Sequence, residues 1–221
     1  MERQSGNAAL ALIAVLGAAL VTGCASSPVE RQRATVDSLV QLHDTVAATE
    51  QHIEQTLAGL LALMHAPPAQ VTQAYTRYAS QANAMAAQAG RIQAEAASLR
   101  DRRESWLAGW NASYTEVRDP QLRSLTEERR QQIAQYFERI EASLGLALES
   151  LGPFVENVED IKEVAGNDLS PLGLQALSRT EVVRNATDHG RGAAQALRAS
   201  TNDLQALIQS LAPARAARTA R

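Results

Sequence analysis

The side chains in this 221-residue sequence whose type and spacing could do chemistry are four histidines, two tryptophans, a short arginine cluster and one cysteine. His43, His52, His65 and His189 are never three or four residues apart, so no two imidazoles are neighbours on successive turns of a helix. With no second cysteine and no acidic cluster to complete a ligand set, no metal site is expected. His43 and Glu50 lie one heptad apart, where they could pair, set register as buried polar groups do in coiled helices, or both sit at a partly wet end. Trp106 and Trp110 share one face four residues apart. They can present an aromatic platform to a lipid or glycan fragment, or pack as core near a hairpin end, and their place on an apolar seam favours packing. Arg103 directly precedes them on that seam, with Arg100 and Arg102 beside it. It could grip a phosphate or an acidic partner; snorkelling, or an ion pair with a glutamate of the third helix, suits a seam position better. No Gly-rich phosphate loop is present, and Ser, His and Asp fall in no catalytic order. Neither enzymatic activity nor a cofactor is expected.

Cys24 follows an apolar run, Ala8 to Val21, of about 14 residues, too short to span a bilayer at ~20 residues but suited to the core of a signal peptide. Val21-Thr22-Gly23-Cys24 then resembles the bacterial lipobox, in which a cysteine is acylated and the chain is cleaved on its amino side. The resemblance implies cleavage between Gly23 and Cys24, lipidation of Cys24, and a leader over residues 1–23 whose start, Glu2 and Arg3, is barely charged. Each buried lipid methylene contributes ~0.8 kcal/mol, so two or three acyl chains would hold the protein at a membrane almost permanently. Residues 24–28 form a short lipidated tether. Ala25, rather than Asp, after the cysteine resembles the sorting signal of an outer-membrane lipoprotein facing the periplasm. Cys24 is also the only cysteine, so no intrachain disulfide can brace the fold.

Composition says which elements must position these residues. Eight aromatics and 19 Gly plus Pro, in a chain dominated by Ala, Gln, Arg, Leu and Glu, make an all-α fold and exclude an all-β one. The net charge of -3, unchanged by removing a leader with one charge of each sign, disfavours nucleic acid as a partner.

Residues 29 to 65 carry Val36, Leu39, His43, Val46, Glu50, Ile53, Leu57, Leu60 and Met64 at alternating three and four spacing, and Pro67-Pro68 ends that helix. From Val71 to Trp110 the same spacing runs through Tyr78, Ala82, Met85, Ala89, Ile92, Ala96 and Leu99, a coiled-coil seam. Its alanines recur every seven residues, so a facing helix can come close there. Asp119-Pro120 reads as an N-cap and first helical residue. The third stripe passes through Leu122, Leu125, Ile133, Phe137, Ile140, Leu144, Leu151, Val155, Val158 and Ile161, with Gly152-Pro153 expected to kink rather than break it. Gly166-Asn167-Asp168 ends it, and Ser170-Pro171 caps a fourth helix through Leu174, Leu177, Ala186, Leu197, Leu204, Ile208 and Leu211.

At ~1.5 Å per residue the segments measure about 55, 70, 70 and 60 Å, which with short connections predicts an elongated antiparallel four-helix bundle over 29–211. All eight aromatics lie between Tyr75 and Phe154, so the second and third helices should hold most of the packing, with the first and fourth softer. Gly190 and Gly192 mark a place for the fourth to fray. Residues 212–221, with Arg215, Arg218 and Arg221, read as a basic disordered tail that could touch lipopolysaccharide or peptidoglycan.

The run Gln121-Leu122-Arg123, Arg129-Arg130, Phe137, Ile140, Leu144, Leu151-Gly152-Pro153-Phe154-Val155, then Asp160, Lys162 and Asn167-Asp168-Leu169, is similar in order to an uncharacterised family of all-helical bacterial lipoproteins, a domain of unknown function. Glu163 to Gly166 stand where that family turns more tightly. The resemblance spans roughly residues 35 to 210 and implies a helical secreted lipoprotein with no known activity. The expectation is a non-enzymatic, lipid-anchored envelope protein, a coiled-coil scaffold or docking surface for helical partners or its own copies. The alternative is a helical-bundle module binding a lipid or glycan.

Overall fold

Proline punctuation divides the chain. In the computed structural model, which describes residues 28–115 and 117–212, α1 spans Pro28–Met64, α2 Val71–Tyr114 and α3 Pro120–Asn167, with a single 3-10 turn at Pro68–Gln70 between the first two. The leader, Cys24 with the tether up to residue 27, and the arginine tail from residue 213 lie outside the described residues. Asp119 caps α3 as its sequence implies: its side chain accepts the backbone N–H groups of Gln121 and Leu122, each at 2.9 Å, two donors that the first turn otherwise leaves without a partner. Pro120 costs α3 nothing, because a first-turn N–H has no helical acceptor. Deep inside the same helix Pro153 is accommodated, and α3 continues as one element to Asn167.

The fourth segment is two helices, which corrects the expected four to five. α4 is the short Pro171–Ser178, capped by Ser170, whose hydroxyl accepts from Gly173 N at 3.1 Å. α5 runs Glu181–Leu211. Between them Thr180 adopts an extended backbone and becomes a second N-cap, accepting from Val183 N while its hydroxyl donates to Leu177 O at 2.7 Å. Glu181 adds a negative charge at the positive end of the new helix.

Cross-helix pairs give the directions. On α1 and α2, Thr56 meets Gln81, Thr45 meets Gln88 and Ser38 meets Arg102, an order that falls along α1 as it rises along α2, hence antiparallel. Lys162–Asn83 and Arg103–Glu141 set α3 antiparallel to α2, while Arg139–Asp203 and Ser143–Ser200 set α5 antiparallel to α3. Gln32–Leu211 and Glu50–Arg198 return α5 to α1. The result is an all-α, elongated bundle of five packed helices, with α1, α2, α3 and α5 neighbours in a ring and α4 against α3 and α1.

Down the middle runs one apolar core, in which Tyr78, Phe137 and Phe154 are the largest fully buried side chains. Burial of such residues, worth roughly 1.5–3 kcal/mol each, holds a chain with no disulfide together. One buried polar side chain is satisfied across helices. Gln88, 4% exposed, donates to Thr49 Oγ1 at 3.0 Å and Thr45 O at 3.3 Å. Such a buried pairing fixes the register of α2 on α1.

Packing is most extensive between α3 and α5, not between α2 and α3, and α5 is therefore no soft element. Its inner face is built of Ala186, Gly190, Ala193, Ala194 and Ser200, all buried, which lets its backbone approach the large side chains of α3. Gly190 is a close-approach residue instead of a fraying point: a Cβ there would stand 2.8 Å from Phe154 Cε2 and 3.1 Å from Leu57 Cδ1. On the seam of α2, Ala82 and Ala89 are buried, and beside them Thr56 Oγ1 of α1 reaches the Gln81 carbonyl at 3.4 Å. Leu122 and Leu125, expected on the buried stripe of α3, are 56% and 64% exposed. Arg129 already reaches the carbonyl of Ser210 near the end of α5, so the two leucines project past the helix that would have covered them.

Candidate functional site

One end of the bundle gathers the start of α1, the end of α2, the start of α3 and the end of α5. Between them lies a cavity of about 740 Å³, within the ~300–1,000 Å³ range of small-molecule sites. Trp106, Trp110 and Tyr114 of α2 form one wall, Arg31, Ala34, Thr35 and Ser38 of α1 face them, and Leu211 of α5 lies deeper. The cavity exists because α1 is small or polar there: its apolar stripe begins only at Val36 and Leu39, leaving no large apolar side chain opposite the indoles.

The tryptophans play both parts that their spacing allows. Trp106 packs on the core, its ring centroid 6.2 Å from that of Phe137, and Trp110 stacks on it at 4.9 Å with the rings 37° apart. Both also line the cavity, and neither is fully buried. The Trp110 indole N–H is enclosed without an acceptor among the described residues, a state that costs a buried donor about 1–3 kcal/mol.

Arg102 and Arg103 beside them are engaged within the protein. Arg103 donates to Glu141 Oε2 at 2.9 Å, the ion pair with the third helix that its seam position suggests, while the other oxygen of Glu141 is buried without a partner. Arg102 bridges Glu95 at 2.6 Å and the Ser38 carbonyl at 3.1 Å, fixing α1 to α2 along the cavity rim. His43 and Glu50 are not paired: His43 Nδ1 lies 3.2 Å from the neighbouring Asp44, and Glu50, with Glu54, holds Arg198 of α5. His65 Nδ1 donates to the Leu61 carbonyl at 2.9 Å. Among the described residues no group of three or more His, Cys, Asp or Glu could hold a metal ion, and no helix is long and apolar enough to cross a membrane.

Reading the sequence singled out the tryptophan wall and missed the opposite one. Ala34, Thr35 and Ser38 carry no motif; their signal is the smallness of their side chains just before the apolar stripe begins. Gly109, half-buried on the α2 wall, was equally silent, although a Cβ there would meet nothing within 4 Å. In comparison with known proteins, no family model matches this chain and no curated protein matches it.

Proposed function

We propose that this protein is a lipid-anchored component of a bacterial cell envelope, held at the outer membrane through acylated Cys24 and facing the periplasm. Its helical bundle serves as a non-enzymatic scaffold or docking body for helical partners or further copies of itself. The observation that carries this reading is Val21-Thr22-Gly23-Cys24 directly after an apolar leader, with α1 beginning at Pro28. Only three residues then separate the acylated cysteine from the first helix, a reach of ~10 Å at most. One end of the bundle is thereby held at the lipid surface and the other stands away from it. The four long helices act as an up-down-up-down coiled bundle, with α4 as a cap on the distal end.

Metabolic labelling with palmitate tests the anchor: the wild type takes up label and fractionates with membranes, and Cys24→Ser does neither. A Cys24→Ser variant that still labels contradicts it. In-cell crosslinking tests the docking role, for which a protein that never crosslinks to another chain is the contrary result.

A second reading, a module that binds a lipid or glycan, is favoured by one observation, the cavity walled by both tryptophans. Native mass spectrometry of protein taken from cells checks it by the presence or absence of a retained small molecule.

A further inference from the structure

Three features meet at the end of the bundle where α1 begins. The first is the cavity, apolar over most of its wall and carrying an enclosed Trp110 N–H with no acceptor among the described residues. The second is a ring of exposed apolar side chains, Val29 of α1 with Leu122 and Leu125 of α3. The third is charge. Among the described residues, 28–38 and 100–130 at this end carry nine arginines against seven acidic residues, and the remainder carries eight basic residues against fifteen acidic ones. The rod is thus polarised, positive where the chain enters it and negative along the remainder.

From these we infer that the cavity takes one acyl chain of an anionic phospholipid from the membrane on which this end rests. The inference deepens the anchored reading above and rests on it for orientation. An acyl chain matches an apolar cavity of about 740 Å³ walled by stacked indoles. The ester carbonyl at the head of the chain supplies the acceptor that the Trp110 N–H lacks, and relief of an enclosed donor favours a ligand with an oxygen at that depth. A negative headgroup is drawn by the more basic end and repelled by the acidic body of the rod. A glycan, lacking a long apolar part, would leave most of this wall bare.

Trp106 and Trp110 are the only tryptophans in the sequence, so tryptophan emission, excited beyond the tyrosine absorption band, reads this cavity. The full chain is titrated with lysophosphatidylglycerol and, separately, with lysophosphatidylcholine of equal chain length, both below their micelle concentrations. Expected are a saturable blue shift, a one-to-one adduct in native mass spectrometry, and binding about tenfold weaker for the neutral headgroup. Gly109→Leu fills the space from the α2 wall. Its Cβ meets nothing within 4 Å and it replaces a poor helix former, so it should keep the helical circular dichroism while weakening binding about tenfold or more. Thr35→Leu repeats the test from α1.

The inference is overturned by no saturable shift, by equal affinity for the two headgroups, or by both filling variants binding like the wild type. Emission already at its blue limit before any lysolipid is added would give the cavity to the chain's own acyl group, and it overturns the inference as well. The mass of Cys24 is read on the same sample. An unmodified cysteine with intact lysolipid binding sinks the anchor and leaves the site standing, whereas acylation without binding does the reverse.

Discussion

Gly190 of α5 lies so close to Phe154 of α3 that a single added carbon would stand 2.8 Å from the ring. Two residues further along, Gly192 faces Ser150 with room for a Cβ at 3.4 Å from its hydroxyl oxygen. The two glycines therefore answer the same substitution with opposite signs. Gly192→Ala should stabilise by up to about 1 kcal/mol through helix propensity alone. Gly190→Ala gains the same propensity but overpacks the core, at a cost of about 1–3 kcal/mol, so its net effect is destabilising. Thermal melts followed by circular dichroism read the pair, and a more stable Gly190→Ala would show that the α3–α5 contact is looser than described.

Tyr78, fully buried on α2, donates its hydroxyl to the Val158 carbonyl of α3 at 2.8 Å. Burial pushes the phenol well above its ordinary pKa of 10, so it stays a neutral donor through any alkaline condition in which the fold survives. Tyr78→Phe keeps the ring packing and deletes the bond, and should cost about 1 kcal/mol in chemical denaturation, with no change in the steepness of the transition.

The Arg103–Glu141 pair is three-quarters shielded from solvent on both sides. Removing Arg103 leaves a carboxylate one of whose oxygens is already without a partner, so Arg103→Ala should destabilise by about 1–2 kcal/mol, above the ~0–1 of a surface pair. A double-mutant cycle with Glu141→Ala isolates the coupling; a coupling energy near zero would reduce the pair to a surface contact.

Glu127 holds Arg130 one turn on through both oxygens, at 2.6 and 2.8 Å, and hydrogen bonds from Arg130 and then Gln131 hold its carboxyl down to about 2 from the ordinary 4.5. A depressed folded pKa means that the contribution to stability is fully present above pH 4.5 and is lost as pH falls through about 2. Carbonyl NMR titration should place the Glu127 midpoint below those of the unpaired glutamates, and Arg130→Ala should return it toward 4.5.

Much of this architecture is legible in the sequence because helix ends are local events. Pro67-Pro68, Asp119-Pro120 and Ser170-Pro171 act within a turn, and each cut falls where those residues stand. Thr180-Glu181 is the same kind of signal, obscured by the apolar Leu174, Leu177 and Ala186 on either side of it. What the sequence conceals is relational. The helix penalty of Gly190 is intrinsic, but its use depends on Phe154 across the interface. Leu122 and Leu125 keep core spacing, yet spacing does not say where the neighbouring helix stops. A cavity is a further step removed: Trp106 and Trp110 announce a surface, while the space in front of them is made by the smallness of Ala34, Thr35 and Ser38 on another helix.

The account stands on the state of Cys24, and the intact mass of the protein isolated from bacterial membranes reads it in one measurement. Expected is an N-terminus at Cys24 carrying a diacylglyceryl group, with or without a third acyl chain, in addition to the polypeptide mass. A chain that retains Met1, or one that begins elsewhere with an unmodified thiol at Cys24, contradicts it.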